Sequence, residues 1–253
     1  MPAPRPDWAY FFDIDGTLVD IAESPERVHV DLALRRLIET LHRSAAGAVA
    51  LISGRAIADI DALFPARNLP VAGQHGAERR DAAGTVSRPS HPPARFYEVR
   101  SELSAIVKRH PALRLEDKGL SLALHYRQAP QLGGYVHRVM RALQARSGGR
   151  LRFQSGKRVA ELVPAASNKG SAVLEFMEEP PFRGRVPVFI GDDVTDEAAF
   201  AIVNRLGGHS VKVGAGPTAA RWQIADVATV RGWLEGGAET PYPRHRRTAG
   251  GRP

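Results

Sequence analysis

The sequence predicts an α/β protein with a Rossmann-like parallel sheet, helices on both faces of that sheet, and an inserted small α/β domain. Two observations lead to this fold class. In the first and last thirds of the chain, short apolar runs that end in polar residues alternate with helical patterns, as in parallel sheets. In the middle third, each of two helical patterns is followed by two strand-like runs.

The predicted core strands are four apolar runs, and each is followed by polar residues or a glycine. The strands are expected at 8–13, 48–52, 186–190 and 210–213, and the helices between them at 31–44, 56–63, 169–177 and 196–206. Sites in parallel sheets form beyond the carboxyl ends of the strands. We therefore expect the chemistry near Asp13, which ends the first run, and near Ser53 and Asp192, which follow two others.

The insert has its own order of elements. Helices are predicted at 94–110 and 130–146, and strands at 113–117, 120–126, 151–154 and 158–163. Loop-forming residues at 87–93 and 164–167 mark its edges. We assign residues 1–90 and 164–240 to a catalytic core and residues 91–163 to a cap domain. Residues 241–253 are basic and rich in Pro and Gly, so we expect a disordered tail.

Composition excludes several classes of protein. The chain has 253 residues, 43% of them hydrophobic, enough for a sizeable core. The absence of cysteine excludes disulfides, thiolate metal sites and cysteine nucleophiles. We expect a soluble cytoplasmic protein because no signal segment or long apolar stretch is evident. The net charge of +8 lies partly in the tail, and the other positive charges are scattered along the chain. Nucleic-acid binding is therefore not expected. A modest positive charge on the folded part is compatible with an anionic substrate.

Clustered carboxylates are the strongest chemical signal. Asp13 and Asp15 end the first strand, and Gly16 lets the chain turn so that both reach the edge of the sheet. Two such charges about 4 Å apart repel by roughly 4 kcal/mol at an effective dielectric constant near 20. Asp192 and Asp193 at a neighbouring strand end increase the repulsion. A cation is therefore needed, and all-oxygen ligands favour Mg²⁺.

Each signal has a structural interpretation when taken alone. The pair Asp15 and Gly16 is compatible with an ordinary turn, and Ser53 with a helix cap. Lys169 places a positive charge at the start of a helix, where its interaction with the helix dipole is unfavourable unless an anion binds there. Their common position at strand and helix ends favours an active site.

The segment Asp13-Ile14-Asp15-Gly16-Thr17 resembles the first signature of the haloacid dehalogenase (HAD) superfamily. Ser53, Lys169 and the segment 191–196 resemble the other three signatures in the same order. The resemblance implies that Asp13 forms an aspartyl-phosphate and that Asp15 acts as general acid and base. It further implies that Ser53 and Lys169 stabilise the charge of the phosphoryl group. Mg²⁺ would be bound by the side chains of Asp13 and Asp192 and by the Asp15 carbonyl. Asp193 and Asp196 would support the site from behind these ligands.

A narrower resemblance is to trehalose-6-phosphate phosphatases. It rests on the segments 73–78, 115–119, 123–127, 156–164 and 168–170 and extends over roughly residues 8–230. It implies that trehalose 6-phosphate is the substrate and that a trehalose-6-phosphate synthase works in the same pathway. The implied substrate-binding residues are Glu116, Lys118 and Glu161 on the distal glucose, Arg55 and His75 nearer the core, and Gly16, Thr17 and Gly54 around the phosphate.

Three alternatives stay open. The first is a related capped phosphatase for another sugar phosphate, such as sucrose phosphate or glucosylglycerate phosphate. The second is a phosphotransferase or phosphomutase, which would need to shield the intermediate from water. The third is a noncatalytic sugar-phosphate sensor, against which the intact set of signature residues argues. Within the sequence, only the cap segments separate the first two from trehalose 6-phosphate hydrolysis.

Overall fold

The computed structural model describes residues 1–22, 27–66, 69–156 and 158–236. The strands in these ranges are β1 (Trp8–Phe12), β2 (Val49–Ile52), β3 (Val71–Gly73), β4 (Glu78–Arg80), β5 (Val86–Ser87), β6 (Arg114–Asp117), β7 (Leu122–His125), β8 (Leu151–Gly156), β9 (Val159–Pro164), β10 (Val186–Gly191), β11 (His209–Val213) and β12 (Trp222–Ile224). The α-helices are α1 (Leu32–Ser44), α2 (Ile57–Leu63), α3 (Phe96–Arg109), α4 (Gly133–Arg146), α5 (Lys169–Met177), α6 (Glu197–Arg205) and α7 (Val227–Leu234).

The larger sheet has eight strands among the described residues, in the order β12-β11-β10-β1-β2-β3-β4-β5. The strands from β12 to β3 run parallel, and β4 and β5 extend the sheet as an antiparallel edge. β1 is paired on both sides and its residues are all buried. The central position of β1 places its carboxyl end beside those of β2 and β10.

Helices cover both faces of this sheet. Neighbouring residues on a strand point to opposite faces. Tyr10 packs toward Trp233 of α7, with ring centroids 6.4 Å apart, whereas Phe11 packs toward Phe176 of α5 at 6.0 Å. The core is therefore divided into two apolar layers by β1.

The smaller sheet is antiparallel, in the order β6-β7-β9-β8. Alternate residues of its strands, such as Leu124 and Leu162, belong to one apolar cluster with Leu103 of α3 and Met140 of α4. Because side chains alternate between faces, the residues between them point away from these helices. That second face lies toward the larger sheet and carries polar residues.

The predicted fold class is confirmed, including the parallel sheet and the α/β insert. The short strands β4, β5 and β12 were not predicted, because strands of two or three residues show no clear alternation. The helix α7 was not predicted either. β9 ends at Pro164, and the domain boundaries themselves stay a prediction. The predicted tail at 241–253 lies outside the described residues. No helix in the described ranges is long and apolar enough to cross a membrane.

Candidate active site

Asp13 lies directly after the central strand. Its N–H donates to the carbonyl oxygen of Ile190 at 3.0 Å, and the residue is only 5% exposed. The chain then turns, and Gly16 has a φ of +86°, a conformation that favours glycine. A Cβ at Gly16 would overlap the Asp192 carboxylate. The turn therefore brings the backbone that follows Asp13 against the side chain of Asp192.

Lys169, the first residue of α5, provides a buried positive charge beside Asp13. Its Nζ lies 2.9 Å from Asp13 Oδ1 and 2.7 Å from Asp196 Oδ1. Burial disfavours the ammonium, but the two carboxylates outweigh it and raise the pKa of Lys169. Burial also raises the pKa of Asp13 against the effect of Lys169, and the charges of Asp196 and Asp192 add to the rise. One lysine therefore leaves excess carboxylate charge in the site.

Three buried carboxylates are close enough to share a metal ion. One oxygen from each of Asp13, Asp192 and Asp196 lies within 4.8 Å of the others. Asp196 already accepts hydrogen bonds at both oxygens, from Lys169 at Oδ1 and from the Asp193 N–H at Oδ2. Asp13 and Asp192 are therefore better candidates than Asp196 for holding a cation, and their carboxylate oxygens are compatible with Mg²⁺.

Asp15 is held by Arg55. The guanidinium donates from Nε to Asp15 Oδ2 and from Nη2 to Oδ1, both at 2.7 Å, which is the strong bidentate arrangement. Arg55 is itself fixed at the end of β2, where its N–H donates to Ser53 Oγ at 3.2 Å. Because the Asp15 carboxylate is engaged here, its backbone carbonyl is the group that it could offer to a metal.

His75 lies in a left-handed turn after β3. Gln74 and His75 have φ angles of 48° and 59°, which residues other than glycine rarely adopt. The His75 N–H donates to the Ser53 carbonyl at 2.9 Å, and the imidazole packs against Gly54, where a Cβ would lie 2.6 Å from Nε2. Burial lowers the pKa of His75, although Glu161 opposes that shift. The ring is therefore neutral at pH 7.

A row of residues crosses the cap sheet on the face toward the core. Glu116 pairs with Ala123, Ala123 with Glu161, and Glu161 with Gln154. Directly paired residues share a face of the sheet, so the two glutamates and the glutamine project together. The small Ala123 separates the two acidic side chains.

Lys118, just after β6, connects this row to the core. Its Nζ donates to Glu161 Oε1 at 2.9 Å and to the Gly54 carbonyl at 2.8 Å. Glu161 Oε2 also lies 3.1 Å from His75 Nε2. Burial alone would raise the pKa of Glu161, but Lys118 and His75 lower it well below its usual range. Glu161 is therefore an ionised carboxylate buried between the two sheets.

Glu116 has a different partner. Its Oε2 lies 2.6 Å from His125 Nε2. Burial raises the pKa of Glu116, but the hydrogen bond from His125 and the charge of Lys118 lower it overall. Core and cap residues together line one cleft.

Known proteins match the chain over most of its length. Residues 11–228 match the family model for trehalose-phosphatase. A trehalose-6-phosphate phosphatase of Escherichia coli (strain K12) is 43% identical over 228 residues, 90% of this chain and 85% of the relative. A probable trehalose-phosphate phosphatase of Sinorhizobium fredii (strain NBRC 101917 / NGR234) is 45% identical over 208 residues, 82% of this chain and 78% of the relative.

The chain belongs to the trehalose-phosphatase family. A solved structure of the C-terminal domain of Candida albicans trehalose-6-phosphate phosphatase is similar, with a TM-score of 0.80, 23% identity and coverage of 89% of each chain. A phosphatase of the HAD superfamily from Bacteroides thetaiotaomicron has a TM-score of 0.59 at 18% identity, covering 90% of this chain and 93% of its own. These two likenesses support the fold alone, which is the predicted HAD fold.

The cleft of this trehalose-phosphatase family member brings most of the predicted site residues together. Those that line it are Asp13, Asp15, Ser53, Gly54, Arg55, His75, Glu116, Lys118, Glu161, Lys169, Asp192 and Asp193. Gly16 and Thr17 do not line it. Thr17 is fully buried, and its hydroxyl has no hydrogen-bond partner among the described residues. Asp196 does not line the cleft either, and it contacts the ammonium of Lys169. The individual roles of all these residues stay predictions.

Two glutamines of the site region were missed in the sequence. Gln154 lines the cleft, and its Nε2 lies 2.9 Å from His75 Nε2. Gln74 is buried and bonded to the cap. Gln154 belongs to a predicted strand, and its alternation could have placed it on the face of Glu161. Gln74 gives no such signal, because its orientation depends on an unusual backbone turn.

Proposed function

We propose that this chain hydrolyses trehalose 6-phosphate to trehalose and inorganic phosphate. The observation that carries the proposal is that two complementary sets of groups face each other across one cleft. Asp13 and Lys169 are on the core side, and Glu116, Lys118 and Glu161 are on the cap side. The first set suits a phosphoryl group and the second suits sugar hydroxyls.

The first step is transfer of the phosphoryl group to Asp13. A carboxylate oxygen of Asp13 attacks phosphorus, and the bond between phosphorus and the sugar oxygen breaks. Asp15 gives a proton to the departing oxygen, so trehalose leaves as a neutral alcohol. Lys169, buried 2.9 Å from Asp13, offsets the negative charge that gathers during transfer.

The second step releases phosphate. Asp15, now a carboxylate, takes a proton from water while the water oxygen attacks phosphorus and the bond to Asp13 breaks. Inorganic phosphate leaves and Asp13 is restored. Arg55 holds both oxygens of Asp15, so its guanidinium must release at least one of them for either proton transfer.

Mg²⁺ is the proposed cofactor. Asp13, Asp192 and the Asp15 carbonyl would hold it, because Asp196 is already engaged by Lys169 and the Asp193 N–H. When bound, Mg²⁺ supplies positive charge that stabilises the phosphoryl oxygens.

The cap residues provide the selectivity in this proposal. Carboxylates accept hydrogen bonds and an ammonium donates them, so Glu116, Lys118 and Glu161 together match a ring that carries adjacent hydroxyls. A site built to bond hydroxyls rejects substrates that lack them. We further propose that a trehalose-6-phosphate synthase provides the substrate, that residues 91–163 act as a cap domain and that the enzyme is cytoplasmic.

A panel of phosphate esters tests the substrate assignment. Purified protein is incubated with Mg²⁺ and trehalose 6-phosphate, sucrose 6-phosphate, glucosylglycerate phosphate or glucose 6-phosphate, and phosphate release is measured. We expect trehalose 6-phosphate to give the highest kcat/KM. Equal or better turnover of glucose 6-phosphate would refute the assignment, and omission of Mg²⁺ should abolish release.

A further inference from the structure

Gln74 is a buried core residue whose side chain reaches the cap, and the proposed chemistry does not use it. It is 2% exposed. Its Nε2 donates to Glu78 Oε1 at 3.2 Å, and its Oε1 accepts from the Leu120 N–H at 3.2 Å and from Ser121 Oγ at 3.1 Å. The amide thus joins the core, through Glu78, to the loop between β6 and β7.

The orientation of this amide is determined by its partners. Glu78 Oε1 also accepts from the Ile57 N–H at 2.9 Å, so it is an acceptor and requires the amide nitrogen of Gln74. The Leu120 N–H is a donor and requires the amide oxygen. A flipped amide would place acceptor against acceptor and donor against donor.

The backbone at Gln74 is held in an uncommon conformation. Its φ is 48°, and its N–H donates to the Arg55 carbonyl at 2.8 Å. Such conformations persist only where the surroundings maintain them, and they concentrate at functional sites. Here the turn aims Gln74 and His75 toward the same region of the cap.

Ser121 extends the connection to the cap carboxylate. Its Oγ lies 3.1 Å from Gln74 Oε1 and 3.1 Å from Glu161 Oε1, and its single hydroxyl proton is donated to one of these two oxygens at a time. Glu161 in turn contacts Lys118 at 2.9 Å. A continuous buried chain of polar contacts therefore runs from Glu78 in the core to the residues proposed to bind the sugar.

We propose that Gln74 is a positioning residue that couples closure of the cap to the placement of Glu161. Its amide oxygen can accept hydrogen bonds from the Leu120 N–H and the Ser121 hydroxyl only when the loop between β6 and β7 lies against the core. This role rests on the proposed function, because it assumes that the cap side of the cleft binds the sugar. It predicts that replacing Gln74 lowers kcat/KM for sugar phosphates that reach the cap and leaves kcat/KM for small phosphate esters nearly unchanged.

The test compares Gln74→Met, which keeps the length but loses the hydrogen bonds, with wild type. The exposed Gln131→Met is the matched control. Each protein is assayed with trehalose 6-phosphate and with p-nitrophenyl phosphate, and exchange of the Leu120 amide hydrogen is followed in the full chain. In Gln74→Met we expect kcat/KM for trehalose 6-phosphate to fall roughly ten- to hundredfold, as for loss of a buried hydrogen-bonding group.

For the same variant we expect less than a roughly twofold change with p-nitrophenyl phosphate, and faster exchange at Leu120. Equal losses with both substrates, or unchanged exchange at Leu120, would overturn the proposal.

If wild type cleaves p-nitrophenyl phosphate but not trehalose 6-phosphate, the proposed function fails, and exchange at Leu120 still decides the role of Gln74. If Gln74→Met does not fold, Ser121→Ala must show the same selective loss, and an unchanged ratio between substrates would refute the coupling.

Discussion

Substitution of Glu161 by Gln should damage both stability and sugar-phosphate hydrolysis. The change keeps the shape of the side chain but removes the charge that faces Lys118 at 2.9 Å. At an effective dielectric constant near 20, two charges about 4 Å apart attract by roughly 4 kcal/mol. Desolvation of both ions cancels part of this attraction, but loss of one partner leaves a buried ammonium that costs about 3–5 kcal/mol. We expect about 3 kcal/mol here because Gln keeps one acceptor oxygen.

A double-mutant cycle measures this interaction. Urea unfolding is followed for wild type, Glu161→Gln, Lys118→Met and the double variant, with the exposed Glu98→Gln as control. The double variant should be less destabilised than the sum of the single variants by at least about 2 kcal/mol, since each single change leaves the other charge unpaired. Glu98→Gln should change stability by less than about 0.5 kcal/mol. Additivity of the two single changes within about 0.5 kcal/mol would refute the buried ion pair.

Three further outcomes are expected. Asp13→Asn should abolish phosphate release while circular dichroism shows a retained fold; substantial remaining activity would exclude it as nucleophile. Asp192→Asn should raise the Mg²⁺ concentration that gives half-maximal activity at least about tenfold. An unchanged concentration would show that Asp192 is not part of the metal site. Burial lowers the pKa of His75 in the folded state, so the unfolded chain binds the proton first near pH 6.5 and stability falls as pH drops below that value. His75→Gln should therefore lose less stability than wild type between about pH 7 and pH 5 in denaturant titrations, and an equal loss would show that His75 does not contribute.

Local patterns predicted the central part of the fold well. The run that contains Tyr10 and Phe11 is apolar on both faces, as a central parallel strand requires, and the capping residue Asn168 marks the start of α5. The short strand-like runs that contain β7 and β9 were sufficient to predict these cap strands. β12 escaped prediction because a strand as short as Trp222–Ile224 is defined by pairing with β11 and shows little pattern of its own.

The site was predictable to a different degree on its two sides. Asp13, Ser53 and Asp192 follow predicted strands, and the rule for strand ends in parallel sheets places them together. The pairing of Asp15 with Arg55, and of Lys118 with the Gly54 carbonyl, depends on how distant segments approach one another. Such contacts between distant segments are set by tertiary packing, which local periodicity does not contain.

Chemical trapping of the phosphorylated enzyme tests the central claim most directly. The protein is mixed with trehalose 6-phosphate and Mg²⁺, quenched with acid during turnover and reduced with borohydride, which converts an acyl phosphate into an alcohol. Peptide mass spectrometry then locates the reduced side chain. We expect reduction at Asp13, with little when glucose 6-phosphate replaces the substrate. Phosphate release from trehalose 6-phosphate with reduction at another carboxylate would contradict this account.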